Sequence, residues 1–124
     1  GHPYYDGGMS DPIPYKKAFE DGCDRLELIL TRPEDFRRIP KNDKVIAGLL
    51  EHHYPKAAQA MATRSEVYNR CLDECEKLAE EGKVCIVAPD SIGHMKTLTK
   101  DIAGIEALYH KGYETAEVIR DFMK

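Results

Sequence analysis

The feature that most constrains the fold is a long stretch of helical periodicity between residues 56 and 81. Its less polar positions, with Arg64 as the exception, recur every three or four residues, at 57, 60/61, 64, 67/68, 71/72, 75 and 78/79. This spacing predicts one amphipathic helix, because positions three and four apart lie on the same side of a helix. Gly82 predicts its end. We expect Arg64, inside an apolar stripe, either to reach out to solvent or to pair with a carboxylate.

Short aliphatic runs on either side of this helix predict strands. They are residues 25–31, which end before Pro33, and residues 84–88, which end at Pro89. Runs of this length and composition are typical of parallel strands that are buried on both faces. Tyr4-Tyr5 predicts a third, shorter strand, ahead of a turn rich in glycine and aspartate.

The remaining segments show helical spacing. Helices are predicted over residues 14–21, from Asn42 or Asp43 to a point before Tyr54, from 102 to a break at Gly112, and again over 113–124. In the second of these we expect one apolar stripe made of Val45, Ile46, Leu49 and Leu50. The alternation of strands and helices predicts an α/β fold with parallel strands. Three short strands are few for such a sheet, whose mean is about five or six, so we expect the C-terminal part of a larger α/β domain.

Composition narrows the classes of function. The 124 residues include 18 Lys and Arg against 22 Asp and Glu, which gives a net charge of −4 and a pI near 5.7. This acidic balance argues against a nucleic-acid partner, because phosphates attract a basic surface. No apolar run approaches the roughly 20 residues of a transmembrane helix. Four cysteines without C-x-x-C spacing, and no visible secretory signal, favour a reduced, cytoplasmic location.

The turn Asp6-Gly7-Gly8 is the first candidate for chemistry. It puts a carboxylate at the end of the predicted Tyr4-Tyr5 strand, and ligands of open α/β sheets bind beyond the carboxyl ends of strands. Glycines tolerate positive φ and allow another backbone to come close. Asp-Gly is also a common turn dipeptide, so the three residues alone fit a structural turn as well as a catalytic acid.

A longer pattern surrounds this turn. The string D-G-G-M-S-D-P-I-P over residues 6–14 lies within residues 4–18, and residues 22–24 and 28–33 follow it. Together these segments closely resemble the region after the second catalytic block of bacterial patatin-like phospholipases. The resemblance continues through residues 64–69, 89–91, 107–109 and 112–113, over nearly the whole chain. Its more specific part is D-G-G-x-S-D-P-I-P.

The resemblance implies a three-layer patatin-like α/β fold, of which this chain is the C-terminal part. It divides the chain into residues 1–33, the end of the catalytic core with the D-G-G motif, and residues 34–124, a helical region with one further strand. It implies a serine acyl hydrolase with a Ser–Asp dyad and no catalytic histidine, acting in the parent protein on an acyl lipid or another ester. Asp6 is then the dyad aspartate, partly withdrawn from water, and Gly7 and Gly8 leave room for the nucleophile turn.

The chain departs from the family pattern, because it has neither G-x-S-x-G nor the glycine-rich oxyanion loop. Ser91, in P-D-S-I-G, is the nearest imitation, but proline replaces the first glycine and no helical pattern follows directly. We therefore expect the chain alone to be inactive. We expect neither a metal nor a cofactor, since dyad chemistry needs none and no H-E-x-x-H spacing is present. The alternative is a non-catalytic α/β interaction module that forms a homodimer through an exposed sheet edge.

Overall fold

The structure, a computed structural model, describes residues 1–2, 4–96 and 98–124. In chain order its elements are a 3₁₀ turn (Gly7–Met9), α1 (Tyr15–Glu20), β1 (Leu26–Ile29), α2 (Lys41–Leu50), α3 (Pro55–Glu80), β2 (Val84–Val87), α4 (Ile102–Thr115) and α5 (Val118–Phe122). The chain forms two compact units. The first unit consists of Gly1–Cys23 with Arg37–Lys77, and the second of Asp24–Phe36 with Leu78–Lys124. The predicted α/β class is confirmed.

The first unit is built on the inner face of α3. The buried residues of this helix recur at intervals of three and four: Ala58, Met61, Ser65, Tyr68, Cys71, Leu72 and Cys75. The predicted long helix and its period are therefore confirmed, although the buried stripe passes through Ser65 and not through Arg64. Leu72 and Cys75 are fully buried, and burying a side chain of leucine size stabilises the fold by about 2 kcal/mol.

The orientation of α2 differs from the prediction. Val45, Ile46 and Leu49 are exposed, Leu49 to 77%, whereas Asp43 and Ala47 are buried. The helix begins at Lys41 after Pro40, so Asp43 lies inside it and does not cap it. The Asp43 carboxylate instead accepts a hydrogen bond from the buried Ser65 hydroxyl, with Oγ 2.5 Å from Oδ2. Breaking that bond inside the protein costs about 1–3 kcal/mol, which favours the polar face of α2 turning inward.

Glycines end two helices, and for α3 the glycine is the predicted Gly82. Gly22 follows α1 with φ +98° and Gly82 follows α3 with φ +73°. In each case the next residue donates its amide to a carbonyl five positions back, at 3.1 and 2.9 Å, which is the Schellman arrangement. The break predicted at Gly112 is wrong, since α4 continues through it to Thr115. Gly112 keeps a negative φ, so it costs the helix stability without ending it.

The second unit contains the sheet. β1 and β2 pair in parallel, from Leu26 opposite Val84 to Ile29 opposite Val87, so the predicted parallel pairing is confirmed. Within the described residues these two strands make up the sheet. β1 is not buried on both faces as predicted, because its residues alternate between half-buried and exposed and Ile29 is 67% exposed. A sheet of two strands leaves one face of β1 without a covering layer.

The strand predicted at Tyr4-Tyr5 is absent. The ring of Tyr5 instead contacts the ring of Tyr54 edge-on, with centroids 5.9 Å apart, and its backbone has no strand beside it. Two aromatic residues supply side-chain contacts, but a strand also needs a partner for its amides and carbonyls. Over the residues with described structure, no helix combines the length and the apolar character needed to cross a membrane.

Candidate functional site

Asp6 begins the 3₁₀ turn of the first unit. Its Oδ1 accepts a hydrogen bond from the Gly8 amide at 2.7 Å, and its carbonyl accepts one from the Met9 amide at 3.0 Å. This is N-cap geometry, in which a side-chain oxygen satisfies an amide that the first turn of a helix leaves unpaired. Asp6 is exposed, and Oδ2 has no hydrogen bond to any residue whose structure is described. One carboxylate oxygen is therefore held by the turn and the other is accessible.

Arg64 of α3 contacts the same turn from its carbonyl side. Its Nε donates to the Gly8 carbonyl oxygen at 3.2 Å, and its Nη1 lies 4.0 Å from Oδ1 of the buried Asp43. Of the two expectations for this side chain, pairing with a carboxylate is the one observed. In the sequence Arg64 stands out because it interrupts an apolar stripe, but no local pattern connects it to Asp6 or marks Asp43 and Ser65 as neighbours of this site.

The two glycines of the turn do not use the freedom predicted for them. Neither adopts a positive φ, so this turn does not draw on the tolerance of glycine for a left-handed backbone. A Cβ placed on Gly8 would approach Oδ1 of Asp6 to 3.1 Å, whereas one placed on Gly7 would meet nothing within 4 Å. Gly8 therefore leaves room for the Asp6 carboxylate, and Gly7 borders open space.

Ser91 belongs to the second unit and lies in a loop that holds its hydroxyl. The Oγ of Ser91 accepts a hydrogen bond from the Gly93 amide at 3.0 Å. No helix follows directly, since α4 begins at Ile102. Lys111 of α4 donates to the Ser91 carbonyl at 3.4 Å and pairs with the Asp90 carboxylate. The hydrogen bond from Lys111 is the main cause that lowers the pKa of Asp90 below its ordinary value.

The cysteines of α3 are packing residues. Burial raises the pKa of both Cys71 and Cys75, the latter to about 11, so neither is a thiolate at neutral pH. Their four-residue spacing places both on the buried face of the helix. Cys23 is the exposed thiol. In the described parts of the chain, no group of three or more His, Cys, Asp or Glu side chains could hold a metal ion.

A groove of about 360 Å³ lies at the carboxyl ends of β1 and β2. Its lining is mainly apolar and includes Ile29, Val87, Leu108, Tyr109 and Tyr113. The outer parts of this lining, Ile29, Tyr109 and Tyr113, are exposed. Crevices beyond strand ends are the usual ligand position of open α/β sheets, but this one presents hydrocarbon and tyrosine surface rather than a charged group.

Comparison with known proteins gives one family. A family model described as "Domain of unknown function (DUF6363)" matches residues 54–121. The match covers α3, β2 and α4 and includes Arg64, but it begins after Asp6 and Asp43. No curated protein and no solved structure matches the chain. Because the matched segment is more than half of the 124 residues, the chain belongs to this family.

Proposed function

We propose that this member of the DUF6363 family is the C-terminal part of a patatin-like acyl hydrolase, with Asp6 as the aspartate of a Ser–Asp dyad. The substrates are carboxylic esters of phospholipids or other acyl lipids. The parent protein supplies the nucleophilic serine and the oxyanion hole, and its three-layer fold includes residues 1–33 as the end of the catalytic core. Residues 34–124 then form its helical C-terminal region.

The arrangement of the Asp6 carboxylate supports this proposal. A dyad aspartate must accept one hydrogen bond from the serine hydroxyl in a defined direction. Here the Gly8 amide holds Oδ1 at 2.7 Å and leaves Oδ2 accessible. The turn is also fixed to α3 by Arg64, and this contact joins two of the segments on which the resemblance rests, residues 4–18 and 64–69.

The space beside the turn fits the same proposal. Asp6 is exposed in this chain, and a carboxylate in water is a weak base for a hydroxyl. In the parent protein the nucleophile turn covers Asp6 from the side of Gly7, where a Cβ would meet nothing within 4 Å. Covering the carboxylate withdraws it from water and strengthens it as a base.

The chemistry proceeds in two half-reactions. Asp6 takes the proton of the serine hydroxyl as the serine oxygen attacks the ester carbonyl carbon, and the oxyanion hole stabilises the negative oxygen that forms. The bond to the alcohol then breaks, and the proton on Asp6 passes to the leaving oxygen. Water attacks the resulting acyl-serine by the same route, which releases the carboxylic acid and restores the serine.

Hydrolysis of p-nitrophenyl butyrate by the natural protein tests the proposal. Asp6→Asn keeps an oxygen for the Gly8 amide but cannot accept the proton, so we expect kcat to fall by about 10²- to 10⁴-fold. Asp21→Asn is the matched control, because Asp21 is an exposed carboxylate of the same unit that pairs with Lys17, and it should leave turnover unchanged. Undiminished turnover in the Asp6→Asn protein would exclude Asp6 as the base.

The Gly7→Ala substitution tests whether the turn at Asp6 lies beside the nucleophile, as proposed, or is an ordinary turn. In this chain the added methyl group meets nothing, so thermal unfolding of the 124-residue chain should be unaffected. In the natural protein the same methyl group lies where we place the nucleophile turn, and kcat should fall. Full activity of the Gly7→Ala protein would contradict that placement.

A second candidate function is a non-catalytic module that associates with itself. Each strand of the two-stranded sheet has an edge that no described residue pairs with, and such an edge can pair with another chain. The exposed Ile29 of β1 adds apolar surface beside it. Light scattering on the purified chain distinguishes the two candidates, because a concentration-independent monomer mass is incompatible with pairing through this edge.

A further inference from the structure

We infer that Arg64 is a positioning residue for the Asp6 carboxylate, a role that rests on the proposed function but adds a residue to which that proposal assigns no part. Arg64 lies beside the buried stripe of α3, next to the buried Ser65. A partly buried charged group is costly unless it has polar partners. The side chain of Arg64 is only 28% exposed, its Nε donates to the Gly8 carbonyl, and its Nη1 faces the Asp43 carboxylate.

Gly8 connects Arg64 to Asp6 through its two backbone polar groups. Its amide donates to Oδ1 of Asp6 at 2.7 Å, while its carbonyl accepts from Nε of Arg64 at 3.2 Å. Glycine has the freest backbone of any residue, and a three-residue 3₁₀ turn has few hydrogen bonds of its own. Nε of Arg64 holds the Gly8–Met9 peptide, whose Met9 amide donates to the Asp6 carbonyl at 3.0 Å. Holding this peptide limits rotation at the Cα of Gly8, and so it restricts the preceding peptide, whose Gly8 amide binds Oδ1 of Asp6.

Asp43 in turn orients Arg64. Oδ2 of Asp43 accepts the hydrogen bond of the Ser65 hydroxyl at 2.5 Å, and Oδ1 faces Nη1 of Arg64 at 4.0 Å. The second distance is a charge contact rather than a hydrogen bond. Asp43 is buried and Ser65 is almost completely so. Two consecutive residues of α3 thus face one carboxylate of α2, and this carboxylate attracts the Nη1 side of the guanidinium while Nε donates to the turn.

Arginine is specifically required for this arrangement. Its guanidinium is a rigid planar fork, so one side chain can donate from Nε and present Nη1 to a carboxylate at the same time. A lysine has a single ammonium group on a flexible stem and cannot hold both partners in fixed geometry. We therefore expect Arg64→Lys to retain charge and fold while losing part of the positioning, and Arg64→Met to lose all of it.

A nuclear magnetic resonance titration of the 124-residue chain tests the positioning without any assay of catalysis. Because the Gly8 amide donates to Oδ1 of Asp6, its proton shift should change when that carboxylate is protonated in an acid titration. We expect the amplitude of this pH-dependent shift change to fall by about half or more in Arg64→Met and by less in Arg64→Lys. It should not fall in the control Arg70→Met, because Arg70 is an exposed residue of the same helix. Should the methionine variant not fold, the lysine variant decides. Unchanged amplitude in the Arg64 variants overturns the inference.

Ester hydrolysis by the natural protein provides the second measurement. Misplacing a catalytic group by about 1 Å can cost up to about 10²-fold in rate, so Arg64→Met should lower kcat by about tenfold or more with KM nearly constant. Arg64→Lys should recover part of that loss, and Arg70→Met should be fully active. A rise in KM at constant kcat overturns the positioning role. A natural protein without esterase activity overturns both the proposed function and the catalytic meaning of Arg64, and the Gly8 amplitude then reports a purely structural contact.

Discussion

Two loops of this chain are each held by a cation from a helix, and the surroundings of the two contacts differ. In the first unit Arg64 donates to the Gly8 carbonyl and faces Asp43, whose carboxylate is buried and bound by Ser65. In the second unit Lys111 donates to the Ser91 carbonyl and pairs with Asp90, whose side chain is 79% exposed. Water screens the second pair, so it should contribute little to stability. We therefore expect burial, rather than the presence of a charge, to decide how firmly each loop is fixed.

The largest effect should come from removing the buried carboxylate. Asp43→Ala leaves the Ser65 hydroxyl and the Arg64 guanidinium without their partner, and a buried polar group that loses its partner costs about 1–3 kcal/mol. We expect the free energy of unfolding in urea to fall by about 2–3 kcal/mol. Asp90→Ala is the matched variant of the exposed loop and should leave the urea midpoint unchanged. Equal effects of the two substitutions would contradict the role given to burial.

A smaller effect should distinguish Asp101, which caps a helix, from Asp6, for which we propose a catalytic role. Asp101 caps the 14-residue helix α4 through a hydrogen bond from Gly104, with the same kind of geometry that Asp6 gives to a three-residue turn. Replacing an N-cap aspartate of a helix by alanine costs about 1 kcal/mol. Asp101→Ala should therefore lower the thermal midpoint seen by circular dichroism, whereas Asp6→Ala should barely change it. A larger loss of stability from Asp6→Ala would make Asp6 mainly a structural residue.

The exposed ion pair between Asp90 and Lys111 should respond to pH with little effect on the stability of the fold. The hydrogen bond from Lys111 and the Ser91 amide lower the pKa of Asp90 below its ordinary 3.8. A carboxyl whose folded pKa is lowered adds stability above its unfolded pKa and loses it as the pH falls through the folded value. The contribution of Asp90 is therefore complete above about pH 4 and disappears below it. Lys111→Met should raise the pKa of Asp90 in a carbon-13 titration, and an unchanged value would show that Lys111 does not hold this loop.

The rate at which a reagent labels the cysteine thiols measures the burial of α3 without a change in stability. Burial raises the pKa of Cys75 to about 11, so only a small fraction is thiolate at neutral pH. Cys23 is exposed, and we expect a thiol reagent to label Cys23 quickly in the folded chain and Cys75 only when the first unit opens. In Asp43→Ala the labelling of Cys75 should accelerate, and in Lys111→Met it should not. Mass spectrometry of the labelled peptides distinguishes the sites.

Much of the local structure follows from patterns of neighbouring residues. The length of α3, its end at Gly82 and the parallel pairing of β1 with β2 were all predictable, because periodicity, a C-terminal glycine and aliphatic runs act over short distances. Which side of α2 is buried could not be predicted. Its apolar stripe is the more hydrophobic side, and only the hydrogen bond between Asp43 and Ser65, 22 positions apart, explains why the other side is buried.

The candidate site likewise combines a local feature that the sequence predicts with a long-range contact that it does not. Asp6 and its turn could be identified from a local string, since a carboxylate followed by two glycines is a compact signal. Arg64 could be noticed as an exception within a stripe, but its contact with Gly8 spans 56 positions and no local rule predicts it. The tolerance of glycine for positive φ is not used at Gly7 or Gly8, and the room at Gly8 serves the Asp6 carboxylate.

The contact between Arg64 and Gly8 also affects how this region can be cut or recombined. Asp6 lies before residue 33, where the resemblance ends the catalytic core, while Arg64 and Asp43 lie beyond it. A protein engineered to stop at residue 33, or joined there to a foreign C-terminal region, would keep the aspartate and lose the residues that hold its turn. From the proposed role of Arg64 we therefore expect an exchange between relatives to keep activity only when residues 6 to 65 are transferred as one block.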